Sequence, residues 1–406
     1  MSEEGSTAAG FPGPRVGIVG GGQLARMLAE AATPLGIHVR VLAATEGECA
    51  GEVVPDVVIG SPDDAEALRS FAATVDVLTF DHENVDHDAL VQIERDGTPV
   101  RPGIATLRFA DKAHQRREFA AAGLPVPPFV VIDPVRDLDH LSVADGFAAR
   151  YGEMTNDGLI VLKASRGGYD GRGVWMLGRS ELAAFLAAYR GAPLVLEPKL
   201  ALERELAVLV ARRPSGQIVT WPVVETIQVD GMCDEALLPA PVDVTLAAEA
   251  ERIGRAVAVT VDAVGVFAVE LFVSDGQVLI NEIAPRVHNS GHVTIEGSVT
   301  SQFSQHLRAV LDWPLGPTDS VAPAASMTNV VGEAADDPRD RQHLALAASP
   351  AAQLHLYGKA PRPARKIGHV TVLGTSLESC RAEARAAVDA LIGGSGDERV
   401  QGSSDG

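Results

Sequence analysis

Glu270 and Glu282 stand inside two strongly apolar runs of the segment GVFAVELFVSDGQVLINEIAPRVHNSGH, residues 265–292. Carboxylates are rarely placed among Val, Leu, Ile and Phe unless they are paired or bound to a metal. The two runs flank Asp275-Gly276, a hairpin turn signal. A two-residue turn puts Glu270 opposite Asn281, whereas a three-residue loop with a bulge puts it opposite Glu282. The second register gives two facing carboxylates, a donor set that suits magnesium completed by water and substrate phosphates. The plainer alternative, two glutamates on a solvated face, fits poorly with such apolar neighbours.

A second chemical signal lies upstream in GLIVLKASRGGYDGRGVWML, residues 158–177. A strand delivers Lys163, and Gly167, Gly168, Gly171 and Gly173 follow before the next strand. Glycines let backbone amides come close to phosphate oxygens and let a loop close over them. No G-K-[ST] follows, so this is a glycine-rich flap between two strands and not a Walker loop. In PLVLEPKLALERELAVLV, residues 193–210, Glu197 and Glu205 border apolar runs. They read either as edge carboxylates facing water or as parts of a nucleotide cleft. In the cleft reading, backbone after Leu196 meets adenine and Glu205 accepts ribose hydroxyls.

These residues need a scaffold, and the chain alternates accordingly. From Arg15 to about Gly103, RVGIVG, HVRVL, DVVIG, DVLTF and TPVRPG are strand-like and alternate with helical stretches. That pattern implies a parallel, doubly wound sheet. IATLRFADKAHQRREFAAAG is a helical exit. An α+β region follows to about Pro314, and then come further strands in AAQLHLYG and KIGHVTVLG. Residues 1–14 and 394–406 are small, polar and Gly-rich, the composition of disordered tails.

Composition excludes several classes. The chain has 406 residues, 34 Lys and Arg, and 54 Asp and Glu, a net charge of −20. So acidic a protein is poorly suited to gripping nucleic acid through its phosphates. No stretch of about 20 apolar residues occurs, so no membrane span is expected. Cys49, Cys233 and Cys380 have neither zinc spacing nor an even count. A reducing cytoplasm is the expected compartment.

Lysine, glycine flap, glutamate pair and two-carboxylate hairpin, in this order, resemble the ATP-grasp fold. GGGQLARM, GGYDGRG, NEIAPRVHNSGH and YGKAPRPARKIGHV narrow the resemblance to the 5-(carboxyamino)imidazole ribonucleotide synthase family, from about Arg15 to about Val372. It implies an α/β and α+β chain. A Rossmann-like parallel-sheet domain (15–112) precedes an ATP-grasp domain (113–314, flap 163–174), and a small β-rich C-terminal domain (315–393) follows. The implied reaction carboxylates 5-aminoimidazole ribonucleotide with bicarbonate, consuming ATP through carboxyphosphate in purine synthesis. A homodimer and a magnesium cofactor are implied too.

Residue roles follow from the resemblance. Lys112 and Lys163 contact the ATP phosphates, under a cover formed by Gly168, Tyr169, Asp170, Gly171, Arg172 and Gly173. Glu197, Leu200 and adjoining backbone meet adenine, and Glu205 the ribose. Gln228 stands where a histidine is expected near ATP. Glu270 and Glu282 hold magnesium, with Asn281 alongside. Tyr169, Asp170 and Arg172 face the ribonucleotide or bicarbonate, with Asp170 handling a proton. The ribonucleotide's phosphate falls to Lys359, Arg365 and Lys366, and Arg286, His288 and Asn289 line the same pocket. His292 is as readily structural as ligand-binding. Lys359 and Arg286 join Asp170 and Arg172 as the catalytic set.

One motif points elsewhere. Gly20, Gly22 and Ala25 match the dinucleotide fingerprint G-x-G-x-x-[GA]. An NAD(P)-dependent oxidoreductase would also need a nicotinamide site and a base, and neither is legible. The resemblance instead turns this wall, with Gln23, Leu24 and Glu83, toward the ribonucleotide. Other readings are a different ATP-grasp ligase, such as formate-dependent glycinamide ribonucleotide transformylase or biotin carboxylase, and a nucleotide-binding regulatory protein without catalysis.

Overall fold

The computed structural model describes residues 13–152, 155, 157–168, 171–332 and 337–393. Three sheets divide the chain. The first is parallel and contains β1 (Arg15–Val19), β2 (His38–Ala43), β3 (Val57–Ile59) and β4 (Val77–Phe80), in the order β3-β2-β1-β4. Its strands are short apolar runs covered by amphipathic helices such as Gln23–Ala32, which buries Leu24, Met27 and Leu28. TPVRPG differs from its strand-like reading. It leaves a single parallel bridge, Val100 to Leu78, because Pro99 and Pro102 have no amide to donate. The helical exit also breaks: Asp111 caps a new helix, Lys112–Ala121, by accepting from the amides of Ala113 and His114.

The second sheet is small and antiparallel: β5 (Val130–Ile132), β6 (Leu159–Ala164), β7 (Val174–Gly178) and β8 (Leu194–Pro198), ordered β5-β8-β6-β7. Alternation sorts its faces. Ile160, Leu162, Leu194 and Leu196 pack under helices with Phe147 and Leu186. Val161, Lys163 and Glu197 take the other face, with Val161 directly opposite Glu197.

The third sheet has nine strands: β9 (Arg204–Arg212), β10 (Ile218–Thr220), β11 (Val224–Val229), β12 (Met232–Leu238), β13 (Gly265–Ser274), β14 (Gln277–Ala284), β15 (Ala324–Gly332), β16 (Gln353–Leu356) and β17 (Arg365–Gly374). The order is β14-β13-β9-β11-β12-β15-β17-β16, with β10 beside β9. The C-terminal strands therefore continue the same sheet, because β15 pairs with β12.

Strand β9 is apolar from Leu206 to Ala211 because both its faces are covered there. Leu206, Val208 and Val210 pack with Ile253 and Val257 of the helix Val244–Thr260. Leu209 and Ala211 pack with Phe303 and Leu307, and with Leu24 and Leu28 of the first domain. That second face changes character along its length. Val266, Ala268, Leu209 and Ala211 form core at one end, while Glu270, Phe272 and Glu205 occupy the same face at the other. The acidic end faces the Lys163 side of the small sheet.

Candidate active site

Glu270 lies directly opposite Glu282, so both carboxylates project from one side of the sheet. The route differs from the three-residue loop considered above. The turn has two residues, Asp275 and Gly276, both with positive φ, and Ser274 pairs with Gln277. The register slips further along, between Glu270 and Leu271, leaving Asn281 as the extra residue of a bulge. Two residues of β14 then oppose one of β13. Lys163 Nζ donates to Asn281 Oδ1 at 2.8 Å, and Lys112 Nζ pairs with Glu282.

The helix Lys112–Ala121 fixes this bulge. Gln115 Oε1 accepts from the amide of Ile283 at 3.1 Å, and Arg116 donates to the carbonyl of Ile280 at 2.8 Å. These backbone groups flank Asn281 and Glu282 on the outer edge of the sheet. Arg116 also reaches Glu197 Oε1 at 2.5 Å, while Lys163 Nζ reaches Glu197 Oε2 at 2.8 Å. Glu197 is 3 % exposed. Burial disfavours its charge, but Arg116 and Lys163 outweigh that and hold its carboxyl down to about 2. The Glu197 side chain is thus engaged by two cations at the cavity wall.

Burial sets two other charges. It lowers the Lys112 amine to about 8, helped by repulsion from Lys163. It raises the Glu205 carboxyl to about 7, with the Glu270 charge on the same face adding to the rise.

A cavity of about 1440 Å³ opens between the two sheets and the first domain. Lys112, Lys163, Glu197, Glu205, Glu270 and Glu282 line its inner part. On another side Arg286 donates to Glu83 at 2.7 Å, and His288 Nε2 lies 3.0 Å from Glu270 Oε1. Asn289 and Asn329 exchange two amide hydrogen bonds, of 2.9 and 2.8 Å, tying this loop to β15.

The comparisons with known proteins match the chain in three parts. An ATP-grasp domain matches residues 117–303, a ribonucleotide synthetase preATP-grasp domain residues 14–111, and a phosphoribosylaminoimidazole carboxylase C-terminal domain residues 325–383. N5-carboxyaminoimidazole ribonucleotide synthase of Mycobacterium leprae (strain TN) is 48% identical over 378 residues, 90% of this chain and 85% of the relative. The chain belongs to the N5-carboxyaminoimidazole ribonucleotide synthase family.

That family membership makes it an ATP-dependent ligase with the ATP-grasp fold. The synthase of Corynebacterium ammoniagenes is 42% identical, covering 96% of this chain and 95% of its own. The crystal structure of the Aspergillus clavatus N5-carboxyaminoimidazole synthase, in complex with ADP and 5-aminoimidazole ribonucleotide, superposes with a TM-score of 0.82 at 31% identity, covering 94% of this chain and 99% of that one.

The other residues singled out from the sequence sort by place. Gln23, Leu24, Glu83, Gly168, Gly171, Leu200, Gln228, Asn281, Arg286, His288, Asn289 and Lys366 also line the synthase-family cavity. Gly173 sits at the flap root, where a Cβ would meet Ala164 and Gly168 at 3.3 Å. Arg172 is exposed. Tyr169 and Asp170 lie outside the described residues. Lys359 Nζ donates to Gln23 Oε1, which brings it to the cavity wall. Arg365 donates to the carbonyl of Ala360 at 3.2 Å. His292 is buried, and Gln302 Nε2 meets its Nδ1 at 3.0 Å. Burial holds it well below the usual histidine range. Gln115 and Arg116 were missed by sequence reasoning. Their signal was faint: two long polar side chains on a helix whose exposed and buried faces hardly differ in composition.

Proposed function

We propose that this cavity joins bicarbonate to the amine of 5-aminoimidazole ribonucleotide, with ATP as the energy source. The supporting observation is the convergence of Lys112, Lys163, Asn281, Glu270 and Glu282 on one cavity, with Arg286, His288 and Lys366 lining it too. Bicarbonate is a poor electrophile, since hydroxide or oxide would have to leave. Transfer of the γ-phosphoryl group to it gives carboxyphosphate, whose phosphate departs readily. The ribonucleotide amine then bonds to the carboxyl carbon, or to carbon dioxide released in the closed site, and gives up a proton.

This chain's contribution is positioning and charge. Lys163, held by Glu197 and Asn281, and Lys112 meet the nucleotide phosphates. Backbone from Glu197 to Leu200 receives adenine, Glu205 the ribose, and Gln228 borders the nucleotide. The glycines from Gly168 to Gly173 exclude water, which would hydrolyse carboxyphosphate. Tyr169 and Arg172 face the ribonucleotide or bicarbonate, Asp170 takes the amine proton, and Arg286, His288 and Asn289 line the ribonucleotide pocket. Lys359, Arg365 and Lys366 receive the 5′-phosphate.

Glu270 and Glu282 fit magnesium. The bulge sets two carboxylates and an amide oxygen on one face. Among the described residues no group of three or more His, Cys, Asp or Glu gathers into a closed metal cage. A pair of carboxylates leaves room for phosphate oxygens as further donors. When bound, the ion neutralises phosphate charge.

The proposal extends to a homodimer in the cytoplasm. No disulfide links the three cysteines. Among the described residues no helix is long and apolar enough to cross a membrane. Sedimentation equilibrium checks the dimer. The deciding experiment measures ADP formation at controlled bicarbonate with and without 5-aminoimidazole ribonucleotide. Turnover with glycinamide ribonucleotide and formate, and none with this pair, would overturn the assignment.

A further inference from the structure

The glycine turn after β1 uses its amides in an unexpected way. Gly20 donates to the carbonyl of Leu42 at 2.9 Å. Gly21 donates to Glu48 Oε2 at 2.9 Å, and Gly22 to Asp81 Oδ2 at 2.5 Å. Glycines in a dinucleotide turn admit a pyrophosphate to the backbone and to the following helix N-terminus. Here they admit the chain's own acids. A Cβ on Gly22 would lie 2.3 Å from Asp81 Oδ2, and one on Gly21 would lie 2.6 Å from Glu48 Oε2. Asp81 follows β4 and is 8 % exposed. Glu48 is anchored by its second oxygen, which accepts from the Thr45 amide at 3.1 Å.

The place where a phosphate would rest is therefore filled, and the amides it would need already donate to acid side chains. A phosphate brought there would have to displace the Glu48 and Asp81 carboxyl groups. Cations stand a short way off: Lys359 on Gln23, the first residue of the helix, and Arg286 on Glu83.

We propose that the Asp81 and Glu48 carboxyl groups, seated on the Gly22 and Gly21 amides, close the first turn to phosphate and so set which way round the ribonucleotide lies. Its 5′-phosphate is directed away from the glycines and toward Lys359 and Lys366. This rests on the substrate reading above. It makes Asp81 and Glu48 specificity-determining residues, although neither reacts.

Glu48→Ala and Asp81→Ala vacate the two amides separately. The nucleotide site is filled with a non-hydrolysable ATP analogue, and binding of inorganic pyrophosphate to the full chain is measured by calorimetry. Each variant is expected to bind pyrophosphate about tenfold more tightly than the parent. In turnover, ribonucleotide bound backwards is unproductive, so kcat and KM for it fall together while kcat/KM holds. A merely structural defect would not produce that pairing. Glu48 is half-buried on a loop, so its variant carries the test if Asp81→Ala does not fold. Pyrophosphate binding no tighter than in the parent overturns the inference. Absence of ribonucleotide turnover in the parent overturns the substrate reading instead, and the calorimetry still decides whether the turn has been opened.

Discussion

Lys163 Nζ and Glu197 Oε2 form a buried ion pair of 2.8 Å across neighbouring strands of the small sheet. Arg116 binds the other oxygen of the same glutamate at 2.5 Å, so one carboxylate holds two cations. Removing one partner from a buried charged cluster costs about 3 kcal/mol, because what remains is undercompensated. Arg116→Met is expected to lose about that much stability in chemical denaturation. It should also raise KM for ATP roughly tenfold, since the Lys163 anchor and the β14 bulge both loosen. Arg116→Lys should recover part of each.

The same glutamate makes acid stability predictable. Its carboxyl is held near 2 in the folded protein against an ordinary 4.5. A depressed carboxyl contributes stability that is present above pH 4.5 and is lost as pH falls toward 2. By pH 3 the loss from this group is about 2 kcal/mol. Glu197→Gln should remove that part of the slope between pH 5 and pH 3. Denaturant melts of both proteins across this range check it, and parallel curves would contradict the assigned charge state.

Glu282 is opposite Glu270 and touches Lys112, so its replacement tests the proposed magnesium role of the pair directly. Glu282→Gln should lower ATP turnover by at least about 100-fold, the scale of losing a charge stabiliser in phosphoryl transfer. Magnesium titration followed by intrinsic fluorescence should shift to a higher midpoint. Unchanged turnover would remove the magnesium assignment.

Lys359 donates to Gln23, a residue of the cavity wall. Lys359→Ala should raise KM for the ribonucleotide by about 10- to 100-fold, as expected for a lost charge-assisted phosphate contact. KM for ATP should move less than about twofold. Steady-state kinetics with each substrate varied separately gives both values.

What the sequence made legible was what local chemistry signals. Glu270 and Glu282 stood out because they interrupt apolar strands, and Lys163 because a strand delivers it to a glycine-rich loop. The register between the two glutamates was open, since a bulge can sit in the turn or further along, and side-chain bonds from Gln115 and Arg116 fix it at Asn281. Those bonds span 168 and 164 residues of chain, distances over which no periodicity speaks. The glycine turn was legible as a turn. Its occupants, Glu48 and Asp81, come from two other loops, so nothing in the fingerprint names them. TPVRPG showed the opposite failure, where strand-like composition gave way to two prolines.

The first domain and the large sheet share one apolar interior. Leu24 and Leu28 interlock with Leu209 and Phe303, and His306, buried between them, meets Thr79 at 2.8 Å and the Val266 amide at 3.0 Å. Those walls are welded into one body, whereas the small sheet keeps a separate interior of its own. What joins the small sheet to that body around the cavity is polar, Arg116 on Glu197 and Lys163 on Asn281, so charge and not oil holds the nucleotide cleft together.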